Sequence, residues 1–247
     1  MNTFDAVSIR AVTSTGCDNG DMKPPAGKYA PLGARTGSIM KEPAAGIAAH
    51  AGSAILLLTG PTGSGKSTLL ASLLADRPHM EHWHVIVNDF GQSDPLAHVN
   101  AAFVTVSRVS ACACCVGAVT MRASLVRVLR RRPARVVIEA SALAHPASIR
   151  RVLAEPGIAP AVKSVVTVCV VNGRAATLAP EVLALAREQM AMADHIVVNR
   201  SPAADAVTPV VAGLLETRAN QSVRWAVDGR IRLGQLTVTA APSRYAT

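Results

Sequence analysis

The sequence predicts an α/β fold: a mostly parallel sheet with helices on both faces. Short apolar runs such as AILLL at 54–58 and HIVVN at 195–199 alternate with segments of helical character. Strands covered on both faces read as continuous apolar runs, not as alternation of apolar and polar residues. Half of the residues are hydrophobic but only 3% are aromatic, so the core must be filled with Val, Leu, Ile and Ala. The polar motifs fall where the strands end, and in open parallel sheets the carboxyl ends of the strands hold the ligand.

Residues 1–50 are rich in Gly, Pro, Ala, Ser and Thr and show neither a helical nor a strand period. They read as a flexible leader with a short strand over 6–12 and an exposed thiol at Cys17, and Met22 or Met40 is an alternative start. The folded domain is expected over 51–240, with a tail at 241–247. SAILLLTG at 53–60 is the first strand and KSTLLASLL at 66–74 the first helix. Strands follow at 84–88 and 103–106. A helix over 119–131 turns Met121, Leu125, Val128 and Leu129 toward the core. ARVVIEA at 134–140 is a strand, 146–153 a helix, 162–171 a long strand and 180–192 a helix. The series closes with a strand at 195–199, a helix at 203–215, a strand at 222–226 and the strand-like GQLTV at 234–238. Chirality makes the crossovers right-handed. Cys169 lies inside an apolar strand and reads as core. His79, His82 and His84 lie before or at a strand start, where a solvated loop is the expectation and metal binding the alternative.

The formal net charge is +9, which attracts anionic ligands and partners. The densest basic run, Arg127, Arg130, Arg131, Arg132 and Arg135, spans a helix end, where cations complement the helix dipole. No aromatics interleave with it, so nucleic acid is not the expected partner. The N-terminus MNTFDAVSIR lacks the basic start and apolar core of a signal peptide, and the strongest apolar run is too short to cross a membrane. A cytoplasmic protein is expected. In that reducing setting, clustered cysteines point to metal or redox chemistry more than to disulfides.

GPTGSGKST, Gly60 to Thr68, fits G-x-x-x-x-G-K-[ST] between a strand and a helix. The glycines at 60, 63 and 65 let the backbone turn around phosphate, and the N–H groups of Pro61's successors Thr62, Gly63, Ser64 and Gly65 make an anion nest at a helix N-terminus. Lys66 reaches the β and γ phosphates, and the Ser67 hydroxyl is a magnesium ligand beside Thr68. The fold class is therefore that of a P-loop nucleoside triphosphate hydrolase. Magnesium needs further oxygens. Asp89, ending HVIVND, and Glu139, ending ARVVIE, follow apolar strands where an acid is costly unless it faces a site, and Asp94 is a weaker candidate in a turn.

Cys112, Cys114 and Cys115 form CACC. Thiolates are soft donors suited to zinc or copper(I), and zinc usually takes four donors, so this cluster suits transient loading with a distant or exchangeable partner such as Asp89, Asp94, a histidine or water. The blander alternative is a set of partly buried small residues.

The P-loop, NDFG, CACC, IEASALAHP and EQMAMADHIVVN, in that order, resemble the CobW-like GTPases, relatives of the urease and hydrogenase nickel-insertion GTPases. The resemblance covers about 53–236. It implies GTP hydrolysis with magnesium, zinc or cobalt at Cys112, Cys114 and Cys115, a metal-receiving client protein and a homodimer. The family's V-N-E-F-G corresponds to Val87 through Gly91 with Asp89 for glutamate, and its G-C-x-C-C to Ala111 through Cys115 with alanine for the first glycine. Its E-T-T-G-L-A-D-P corresponds to Glu139 through Pro146, with Ala142 for glycine and His145 for aspartate. Its Q-x-x-x-A-D corresponds to Gln189 through Asp194. The guanine motif N-K-x-D appears as Asn199, Arg200, Ser201 and Pro202. Without that aspartate roughly a few kcal/mol of base discrimination is lost, so ATP or relaxed specificity enters beside GTP, while Arg200 can still stack over a purine. Alanine at 142 restricts the backbone near a γ phosphate, which implies slow turnover. The family's usual C-terminal domain is expected to be missing, since the chain ends soon after GQLTV. The alternative to a metal-handling GTPase is a catalytically weak nucleotide-binding regulatory protein or an ATP-using P-loop enzyme.

Overall fold

The structure, a computed structural model, describes residues 52–88, 102–109, 117–216 and 222–236. The expected leader with its strand and Cys17, the loop with Asp89 and Asp94, the cysteines 112, 114 and 115, and the tail lie outside these residues.

The elements run β1 (Ser53–Thr59), α1 (Lys66–Ala75), β2 (Trp83–Val87), β3 (Val104–Arg108), α2 (Gly117–Leu129), β4 (Arg135–Glu139), α3 (Pro146–Leu153), β5 (Val162–Asn172), α4 (Pro180–Ala191), β6 (His195–Asn199), α5 (Pro209–Glu216) and β7 (Ser222–Ala226). They build a seven-stranded sheet in the order β3-β2-β4-β1-β5-β6-β7, with every neighbour pair parallel. The expected α/β architecture is therefore present, and the reason is visible in the side-chain alternation of each strand. Leu56 and Leu58 of β1 pack with Leu69, Leu70, Leu73 and Leu74 of α1. Ile55 and Leu57 face the other way, against Met121, Leu125, Ile149 and Val152 of α2 and α3. Further along the sheet Cys169, Ile196 and Val198 meet Met190 of α4 and Val211 and Leu214 of α5. Both sheet faces are thus buried, and Cys169 is core as expected. Among the described residues no helix is long and apolar enough to cross a membrane.

The expected helix at 203–215 is broken. Residues Ala204–Ala206 make a single 3-10 turn, Val207 is extended, and α5 starts at Pro209. Proline biases the residue before it away from helix but fits the first helical turn, so the helix can begin at Pro209 and not run through it. The strand-like GQLTV also differs: Leu233–Leu236 is a 3-10 turn. Its three-residue repeat brings Leu233 and Leu236 onto the α1-side core.

His79 and His82 are exposed, in keeping with a solvated loop, but His84 is buried in β2. Its Nδ1 lies 2.6 Å from Thr105 Oγ1 and its Nε2 2.9 Å from Ser107 Oγ, both on the neighbouring β3. Burial, with the Arg131 charge as the smaller cause, pushes the imidazole from 6.5 down to about 4. The unfolded chain then binds more protons between these values. This contribution to stability is complete above about pH 6.5 and is lost as pH falls toward 4. In urea unfolding from pH 7 to pH 4, the parent is expected to lose roughly 1–3 kcal/mol more than His84→Gln, which does not titrate, the upper figure being the shift undiminished by solvent screening. Parallel pH profiles for the two proteins would refute the assignment.

Candidate nucleotide and metal site

The site forms at the carboxyl ends of β1, β4 and β6. Residues 60–65 leave β1 and enter α1 through glycines that no other residue replaces cheaply. A Cβ on Gly60 (φ 136°) would lie 2.1 Å from Val170 O, and one on Gly65 (φ 96°) would lie 2.1 Å from Asn199 Nδ2. α1 begins with no side-chain cap and no acid in its first turn. Its first N–H groups lack intrahelical partners and the positive end of its dipole faces the loop, which together make an anion site.

Lys66 is the first residue of α1 and is only 6% exposed. Its Nζ donates to Gly60 O at 2.9 Å and to Pro61 O at 3.1 Å. The ammonium is thus held across the loop that it would share with phosphate. One residue on, Ser67 Oγ donates to Glu139 Oε1 at 2.5 Å. Glu139 is 1% exposed and ends β4, in register with Leu58 of β1 and Val87 of β2. A hydroxyl and a carboxylate oxygen on converging backbones are hard donors of the kind that magnesium takes, so the residues fit that ion.

Asn199, at the end of β6, ties the other side together. Its Nδ2 donates to Ser64 O at 3.2 Å, and its Oδ1 accepts from Arg200 N at 2.8 Å and Gly229 N at 3.1 Å. Arg200 is exposed and takes a left-handed backbone (φ 63°). Pro202 is exposed, whereas Ser201 is buried with its Oγ bonded to Ala203 O. Thr68 is exposed and packs against Gly229 of the turn after β7, where a Cβ would come within 2.6 Å of Thr68 Cγ2.

The structure therefore brings Gly60, Pro61, Thr62, Gly63, Ser64, Gly65, Lys66, Ser67, Thr68, Glu139, Asn199 and Arg200 to one sheet edge. Asp89, Cys112, Cys114 and Cys115 lie outside the described residues. Among the described residues no group of three or more His, Cys, Asp or Glu could hold a metal ion. Asn88 and Val109 follow β2 and β3 at the carboxyl edge, where Asn88 N donates to Glu139 O and Val109 N to Val87 O.

Sequence reasoning assigned no role to the turn after β7 or to Gln189. The dipeptide Asp228–Gly229 was a legible turn signal. Gln189 is wholly buried and donates through Nε2 to Ala142 O and Ala144 O, in the loop that follows Glu139.

Residues 54–224 match the family model described as CobW/HypB/UreG, nucleotide-binding domain. The zinc chaperone YeiR of Escherichia coli is 35% identical over 159 residues, which make up 62% of this chain and 47% of that protein. The chain thus spans about half the length of this curated relative. The hydrogenase maturation factor HypB of Archaeoglobus fulgidus shares the fold, with a TM-score of 0.51 and 17% identity over 72% of this chain and 82% of that one. So does the Zn(II)-bound YjiA GTPase of E. coli, with a TM-score of 0.51 and 23% identity over 75% of this chain and 61% of that one. With a P-loop of this geometry and a family match over most of its length, the chain belongs to the CobW/HypB/UreG family of nucleotide-binding domains.

Proposed function

We propose that the chain binds and hydrolyses a nucleoside triphosphate, GTP with ATP admitted, and couples this to binding or transfer of zinc or cobalt. The observation that carries the reading is the convergence of Lys66, Ser67, Glu139 and Asn199 around one loop. Lys66 and the N-terminus of α1 would bind the phosphates. Ser67, Glu139 and Asp89 would hold magnesium, which when bound neutralises phosphate charge. Arg200 would stack on the base while Asn199 keeps its strand end against the P-loop. Exposed Pro202 brings no carboxylate to the base, which supports a reduced guanine preference.

The transition metal is the cargo, and Cys112, Cys114 and Cys115 are its proposed ligands. Support comes from their soft donor chemistry and from kinship to a family in which one relative is a zinc chaperone. A client protein that receives the metal, and a second copy of the chain, are the proposed partners on the same grounds. Ala142 and Pro202 favour a second reading, a regulatory nucleotide-binding protein with little turnover.

The experiment is a zinc titration of the full chain at fixed pH, with and without a non-hydrolysable GTP analogue, in the parent and in a triple Cys112→Ser, Cys114→Ser, Cys115→Ser variant. Nucleotide is expected to change zinc affinity by about 5–150-fold, and zinc to change nucleotide affinity by the same factor. Zinc binding should strengthen with pH through the thiol titration range, because thiolate ligation releases protons. Identical zinc affinity with and without nucleotide would defeat the coupling, and unchanged affinity in the triple variant would defeat the ligand assignment.

A further inference from the structure

Two consecutive residues of α4 hold the loop that follows Glu139. Gln189 Nε2 donates to Ala142 O and Ala144 O, each at 3.0 Å. On the exposed flank, Glu188 Oε2 lies 2.9 Å from His145 Nδ1. Inside the loop Ala144 N donates to Ser141 O. The loop leaves β4 at Ala140, whose N–H donates to Leu58 O of β1, so it starts beside the P-loop.

The helix that grips it is firmly seated. Ala186 and Met190 are fully buried, the latter in the core beneath α4 and α5. Just past α4, Asp194 N donates to Thr167 O, and Asp194 Oδ2 accepts from Thr167 N at 2.7 Å. α4 is thus seated on the core through Ala186 and Met190, and the loop lies against its buried Gln189. Gln189 Oε1 is buried and has no hydrogen-bond partner among the described residues. A buried amide whose donors are used and whose acceptor is not can serve a second loop arrangement, in which a loop N–H comes to Oε1.

We infer that Gln189 is a positioning residue of the nucleotide site, setting the loop 141–144 from its far side and thereby its response to the terminal phosphate. The inference rests on the nucleotide reading above. It adds a residue that touches neither nucleotide nor metal and acts through the backbone of Ala142 and Ala144. Glu188 and His145 form the outer half of the same grip.

Gln189→Met keeps the side-chain length and removes both donors. The ratio of affinities for a non-hydrolysable GTP analogue and for GDP is expected to fall about tenfold, with GDP affinity unchanged. kcat should fall while KM moves little. A residue needed only for folding would weaken both nucleotides together. In the unmodified chain, amide hydrogen exchange at 141–144 should differ between the GDP-bound and analogue-bound forms while the amides of α2 do not, and this measurement decides if the variant does not fold. An unchanged affinity ratio in a folded variant, or exchange at 141–144 that ignores the terminal phosphate, overturns the inference alone. A parent that binds neither nucleotide overturns the nucleotide reading and the inference with it.

Discussion

Lys66→Ala is expected to weaken triphosphate binding by at least about 100-fold. The ammonium is buried at the start of α1, and it donates to Gly60 O and Pro61 O on the loop that would cradle phosphate. Bringing a phosphate there replaces carbonyl acceptors by charged oxygens, and hydrogen bonds to charged groups contribute roughly 1.5–3 kcal/mol each. Alanine removes that gain and also the bridge across the loop. Isothermal calorimetry of parent and variant, with circular dichroism to confirm folding, makes the check. Equal affinity in a folded variant would mean that the loop does not bind phosphate as proposed.

Glu139→Gln is expected to lower magnesium-dependent hydrolysis by about 10–100-fold and to leave GDP binding without magnesium close to that of the parent. The glutamine still offers an oxygen to Ser67 Oγ, now 2.5 Å from Glu139 Oε1, so the packing at the end of β4 is kept while the charge is lost. A carboxylate that is 1% exposed is costly to bury, and a cation nearby offsets that cost. The variant should need more magnesium for half-maximal rate. If rate and magnesium dependence both match the parent, Glu139 has no part in holding the ion and its bond to Ser67 is structural.

Much of this fold was legible in the sequence because its signals are local. AILLL is short, is bounded by a glycine turn and so reads as a strand covered on both faces, and the P-loop glycines, lysine and serine stand close together in the chain. What could not be read depends on distant residues. The side chain of Asn199 reaches both Ser64 and Gly229, and Gln189 reaches back to Ala142 and Ala144; no periodicity marks these contacts. His84 looked like part of a solvated stretch because the hydroxyls that satisfy its ring, Thr105 and Ser107, come from a strand that only the sheet places beside it. The break before α5 was signalled by Pro209 but masked by the apolar run that follows. The turn over Leu233–Leu236 failed as a strand because two leucines three residues apart meet the core in a 3-10 turn as well as two alternate residues do in a strand.

This chain is proposed to bind a magnesium nucleoside triphosphate on its P-loop. Calorimetric titration of the full chain with GTP and with ATP, each with and without magnesium, in parent and Lys66→Ala, tests it most directly. Saturable binding of GTP that magnesium strengthens is expected, with a smaller but real affinity for ATP and loss of both in the variant. No saturable binding of either triphosphate by the parent, or binding that Lys66→Ala leaves untouched, would contradict it.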